Sequence, residues 1–201
     1  MKADDLLDRL QSSARAEVDQ RHPGLPGDER AAMARAIAIG ALRYFLLKFT
    51  RNTTIAFDFK DALSFEGETG PYCQYSVVRI RNIFRKHAEQ SGAMPPDSEK
   101  STEDAARFLA PPGGDDLWEL VLLAGSLGSS TDAALGAQEP AFLAKYAFQL
   151  AQSFNAFYHT HHILSEPDAA RKAFLLSLCG LVQTQLVTAL SVLGIESPER
   201  M

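Results

Sequence analysis

The chain has 201 residues, 46% hydrophobic and 22% charged, which is ordinary for a globular protein with a real core. A formal net charge of −5 excludes a nucleic-acid binder that works through overall positive charge, so any such reading must rest on a local patch. Two cysteines, Cys73 and Cys179, exclude a multi-bridge disulfide framework; in apolar helical surroundings they read as small buried hydrophobes.

From Ala3 to about Arg21, Leu6, Leu7, Leu10, Ala14 and Val18 recur at helical spacing. "HPGLPGD" then breaks the chain and offers Asp28 as the N-cap of a second helix. That helix, "ERAAMARAIAIGALRYFLLKF", is alanine-rich, carries Gly40 inside it, and reads as closely packed on a neighbour. "TTIAFDF" is β-branched and aromatic, which predicts a short strand or extended segment.

Gly70 followed by Pro71 reads as an N-cap and N1 pair, so a helix is expected from Pro71 to about Gln90. "SGAMPPDSEKSTED" reads as a polar surface loop, followed by a short helix from Asp104 to Leu109 that "APPGGDD" breaks. "LWELVLLAGSL" predicts a compact apolar helix and "GSSTDAALGAQEP" a second loop. Pro140 then opens the helix carrying "AFLAKYAFQLAQSFNAFYHTH". The last long helix runs from Asp168 to Leu193, with Leu175, Leu178, Val182, Leu186, Ala189 and Val192 as its apolar positions.

No apolar run reaches the roughly 18 residues needed to span a bilayer, and the N-terminus lacks a signal peptide's apolar stretch. A cytoplasmic protein with no membrane partner is expected. The fold class is mainly α, a helical bundle from Pro71 onward, with a boundary near Gly67 to Pro71 that separates residues 1–66 from 67–201.

Residues three or four apart on a helix share a face, so Tyr72, Tyr75, Arg79, Asn82 and Lys86 form one stripe. Val77, Ile80, Ile83 and Phe84 fall on another side and should pack inward. Phenol rings beside guanidinium groups suit nucleobases and phosphates. On spacing alone, a solvated basic face is the commoner explanation.

In "SFNAFYHTHHIL", His159 and His162 could share a face, but no Cys accompanies them and Glu166 lies several residues on. The attraction between imidazoles and a helix C-terminus accounts for the cluster, and no metal is expected. There is no G-x-S-x-G elbow, and the Gly-bearing stretches "APPGGDD" and "AGSLGSS" lack the Lys of a phosphate-binding loop. Nothing here reads as an active site.

"AIGALRYFLLK", "FDFKDALSFEGETGPYCQYSVVRIRNI", "LAQSFNAFYH" and the terminal "LGIESPERM" stand in the order and spacing of arginyl-tRNA synthetases. The motif F-E-G-x-T-x-P-Y-x-Q-Y and the ending on Met201 carry most of the likeness, which is weakest over 91–116 and 128–139. The chain resembles the C-terminal part of such an enzyme, with its DALR-type anticodon-binding domain. Residues 1–66 resemble the end of the catalytic region, and residues 67–201 resemble the α-helical anticodon-binding bundle.

The resemblance implies the anticodon stem-loop of tRNA(Arg) as partner, with Tyr72, Tyr75, Arg79, Phe154, Tyr158 and Met201 at matching positions. Bases would stack on the tyrosines, and Arg79, Arg85 and Lys86 would meet phosphates. ATP and Mg are implied for the full-length family, whose HIGH-type and KMSK-type motifs do not occur in these residues. The chain alone is therefore expected to hold no cofactor and to form no aminoacyl-adenylate, and a separate catalytic domain of the same enzyme is expected as a partner. An alternative is a free-standing helical interaction or dimerisation module, using an exposed "AAMARAIAIGAL" face.

Overall fold

The computed structural model describes residues 3–92, 102–110 and 114–201. Most of the loop expected after Ser91 and the centre of "APPGGDD" lie outside the described residues. Every regular element among the described residues is helical: α1 (Ala3–Arg21), α2 (Gly27–Leu47), α3 (Phe59–Ala62), α4 (Gly70–Ser91), α5 (Thr102–Leu109), α6 (Asp115–Gly125), α7 (Leu127–Ala137), α8 (Ala141–Thr160) and α9 (Ala169–Val192).

Leu10, Ala14 and Val18 of α1 are buried with Met33, Ala34, Ile37 and Ala38 of α2. This corrects the expectation of an exposed alanine-rich face, because the small side chains of α2 are covered from within the same chain. The start of α2 also differs from expectation. Arg30 N bonds to Pro26 O at 3.1 Å, so the first helical bond closes on Pro26, and Asp28 lies in the first turn without capping. Its charge there still complements the helix dipole.

Residues 54–58 form no strand, since no second strand among the described residues pairs with them; of these residues Asp58 has extended backbone. Instead Asp58 caps α3 by accepting from Lys60 N and Asp61 N, while Phe57 packs edge-on to Phe45 and Phe59. The N-cap of α4 is Thr69, one residue earlier than expected. Its hydroxyl oxygen accepts from Tyr72 N at 3.2 Å while donating to Ser64 O at 2.6 Å.

"GSSTDAALGAQEP" is not a loop, because most of it forms α7. Ala133, Ala134, Leu135 and Ala137 are strong helix formers, and packing of Leu127 and Ala134 on the core offsets the cost of two glycines. The helix ends where Gln138 turns left-handed, with φ of 55°.

By length and composition α9 is apolar enough to cross a membrane, contrary to the expectation that no segment would be. It is the core helix of the bundle, with Leu175, Leu178, Cys179, Val182, Leu186 and Ala189 buried. Val192, expected on that face, is instead 66% exposed, because it lies on the outer side of the helix, while Leu190 and Leu193 on either side of it are buried. Tyr44 of α2 enters the same core and donates to Ala144 O of α8 at 2.9 Å. Val77, Ile80 and Ile83 point inward as expected, and Phe84 is partly buried beside them.

Candidate nucleic-acid interface

Because Thr69 fixes the start of α4, Tyr72 and Tyr75 stand in its first turns, three residues apart, and meet different neighbours. Tyr72 is half-buried, with its ring 5.5 Å from that of Phe148. Tyr75 is 37% exposed and meets Phe65 edge-on at 6.3 Å. One turn further, the Arg79 guanidinium lies between two rings, 4.9 Å from the centroid of Tyr75 and 5.1 Å from that of Tyr158. Tyr158, from α8, is 36% exposed.

Arg79 is held there by a short relay of hydrogen bonds. Its Nη1 donates to Asn155 Oδ1; Asn155 Nδ2 donates to Ser76 Oγ at 2.9 Å, and Ser76 Oγ to Tyr72 O at 3.0 Å. A half-exposed cation–π contact is worth about 0.5–1 kcal/mol, so two of them with a charge-assisted hydrogen bond keep the guanidinium in place. At the other end Arg21 of α1 lies 5.1 Å over the Phe65 ring. The result is a surface ladder of cations and aromatic rings in the order Arg21, Phe65, Tyr75, Arg79, Tyr158.

The other expected site residues take different places. Phe154 is fully buried beneath Tyr158, with ring centroids 6.3 Å apart, so it supports that ring from below and offers no face to solvent. Arg85 pairs with Glu89 at 2.6 Å, and Lys86 is exposed on the same helix. Met201 packs into an apolar pocket lined by Val18, Met33, Ile37, Leu63 and Phe65, and so shares Phe65 with the ladder. The tail reaches that pocket because Arg81 Nη1 donates to Ser197 O at 3.0 Å and Pro198 O at 2.6 Å.

Sequence reading missed Arg21, Phe65 and Asn155. Phe65 and Asn155 lie inside the quoted motifs, but nothing local marks Arg21, whose contact joins α1 to a loop far along the chain. His161 is held by Asp116 and Arg171. Since Arg171 Nη2 donates to Nδ1 at 3.3 Å, the other nitrogen, Nε2, carries the proton toward Asp116 Oδ2 at 2.7 Å. Among the described residues no three His, Cys, Asp or Glu side chains converge as a metal site. Burial pushes the Cys73 and Cys179 thiols well above their usual range, which suits neither to nucleophilic chemistry.

Residues 73–201 match the family described as the DALR anticodon binding domain. Over 202 residues the chain is 34% identical to an arginine–tRNA ligase of Phocaeicola vulgatus, covering 99% of this chain and 32% of that protein. It is 33% identical over 198 residues to the arginine–tRNA ligase of Clostridium perfringens, covering 98% of the chain and 33% of the relative. The solved arginyl-tRNA synthetase of Thermus thermophilus superposes with a TM-score of 0.81 at 31% identity, over 100% of this chain and 32% of that one. The chain thus spans about a third of the length of the relatives it matches. It belongs to the DALR anticodon binding domain family, and its helices are those of the C-terminal part of arginyl-tRNA synthetases.

Proposed function

We propose that this chain docks the anticodon stem-loop of tRNA(Arg) on the Tyr75–Arg79–Tyr158 ladder. The observation that carries the reading is the fixed Arg79 cation between two tyrosines, each more than a third exposed. Unpaired bases stack on the outer faces of Tyr75 and Tyr158, each stack being worth about 1–3 kcal/mol. Phosphates of the same strand are met by Arg79, Arg85 and Lys86. Two such platforms suffice for specific binding despite the net charge of −5, because the cations are local. Tyr72 and Phe154 shape the ladder from below, and Met201 closes the pocket beside Phe65.

The relatives are named arginine–tRNA ligases and are about three times longer. We assign to this chain the tRNA-docking share of that ATP- and Mg-dependent reaction, carried out in the cytoplasm with a catalytic domain of the same enzyme. In this reading residues 1–66 belong with the catalytic region and residues 67–201 form the anticodon-binding unit. Titration of the full chain with an anticodon hairpin of tRNA(Arg) tests the site. Tyr75→Ala should weaken binding about tenfold, the loss of one stack; equal affinity of the two proteins would overturn the proposal.

A further inference from the structure

We infer that the RNA track does not end at Tyr158 but continues into a groove at the C-terminal end of α8, where His159, His162 and Gln90 bind a backbone phosphate. This rests on the ladder reading and extends it to a second contact region. Tyr158 belongs to both regions: it stacks against Arg79 on one side, and it lines the groove together with Gln90, His159, His161 and His162 on the other. The rings of Tyr158 and His159 are 6.1 Å apart, so the series of planar groups passes directly from the ladder into the groove.

The other wall comes from α4. Its exposed stripe runs Tyr75, Arg79, Asn82, Lys86, and one turn on Gln90, which faces into the groove. From Arg79 to Gln90 is about 16 Å of helix, room for a strand to follow the ladder for more than one nucleotide. His159 and His162 are exposed, while His161 between them is committed to Asp116 and Arg171. The cluster therefore divides into one structural imidazole and two that face solvent over an open groove. Among the groove's lining residues, Ser165 Oγ donates to the His162 carbonyl at 3.3 Å.

The charged surroundings favour an anion. From α9, Lys172 Nζ donates to Leu164 O in the groove wall at 2.8 Å, and Arg171 bonds to His161. From α4 comes Lys86; burial, and after it the charge of Lys172, hold the neighbouring His87 imidazole below its usual value, so His87 adds little positive charge. The nearby carboxylates are already engaged: Asp116 with His161, Glu166 with Arg171, Glu89 with Arg85. An imidazole N–H donates to a phosphate oxygen, so the two exposed rings can hold a backbone phosphate in this groove.

The test is a titration of the full chain with a tRNA(Arg) anticodon hairpin, comparing wild type, Tyr75→Ala and His159→Ala/His162→Ala. The double variant should bind about fivefold more weakly than wild type, the loss of its hydrogen bonds to one phosphate. Tyr75→Ala should be weaker still. If the double variant matches wild type while Tyr75→Ala is impaired, the groove inference is overturned and the ladder stands. If Tyr75→Ala also matches wild type, the ladder reading itself fails and the groove inference with it. Both histidines are exposed, and unchanged thermal unfolding of the double variant confirms that the comparison reads binding.

Discussion

Gly70, the first residue of α4, sits directly on the backbone of Gly40 in the middle of α2: a methyl group at Gly70 would overlap the Gly40 carbonyl group. This contact lets the start of the tyrosine-bearing helix lie flush against α2, and it leaves the neighbouring main chain no side chain to push aside. Gly70→Ala should destabilise the protein by about 1–3 kcal/mol, the range for overpacking a rigid site. Gly128→Ala in α7, where a Cβ meets nothing within 4 Å, should be neutral or stabilising by up to about 1 kcal/mol. Urea unfolding midpoints of the two variants check this, and a Gly70→Ala midpoint equal to wild type would disprove the close packing.

Arg79 is placed by shape as well as by charge. A lysine keeps the charge but cannot lie flat between two rings while donating sideways to Asn155. Arg79→Lys should therefore weaken hairpin binding about fivefold with little change in melting temperature. Binding retained at wild-type strength would mean that only the positive charge matters.

Gln74 is completely buried on α4, and its Nε2 donates both to Ala36 O of α2 at 3.0 Å and to Glu196 O of the C-terminal tail at 2.6 Å. Gln74→Leu keeps the bulk but leaves both carbonyls without that donor, at a cost of about 1–3 kcal/mol. The tail should loosen before the bundle does. Faster release of Met201 by carboxypeptidase, with a lowered melting temperature, is the expected result; unchanged release would show that Arg81 alone secures the tail.

Asp19 accepts from Arg15 Nε within α1 at 2.8 Å and joins α1 to α2 by accepting from Arg30 Nη1 at 2.7 Å. The Arg15 hydrogen bond, aided by the charges of Arg15 and Arg30 and opposed by partial desolvation, holds its carboxyl below the ordinary 3.8. A carboxyl depressed on folding binds its proton more readily in the unfolded chain, so its contribution is full above that value and fades as pH falls through the folded one. Asp19→Asn should lower the melting temperature at pH 7, and the gap should close at pH below 3.8. A gap that persists unchanged in acid would assign the loss to packing.

Local chemistry made several elements legible without the fold. α1, α4, α8 and α9 were readable because caps, prolines and apolar spacing agree over three or more turns, and the motif from Phe65 to Tyr75 carried the family resemblance. α7 was hidden because glycine and serine argue for a loop, and only packing on its neighbours shows that the helix is worth forming. The strand suggested by "TTIAFDF" failed for the complementary reason: β-branched residues favour extension, but a strand needs a partner, which only the tertiary structure supplies or withholds.

The same division runs through the site. Sequence spacing placed Tyr72, Tyr75 and Arg79 within two turns of one helix, and the aromatic residues of α8 within another. It did not determine which rings face outward. Burial did: Phe154 went into the core, and Tyr72 turned half-inward against Phe148, while Tyr75 and Tyr158 closed on Arg79 from separate helices. Helical periodicity fixes a residue's angle around its own axis, but whether that angle meets solvent depends on where the next helix lies. That was decided by long-range contacts such as Gly40 with Gly70 and Gln74 with Glu196, which no local pattern encodes.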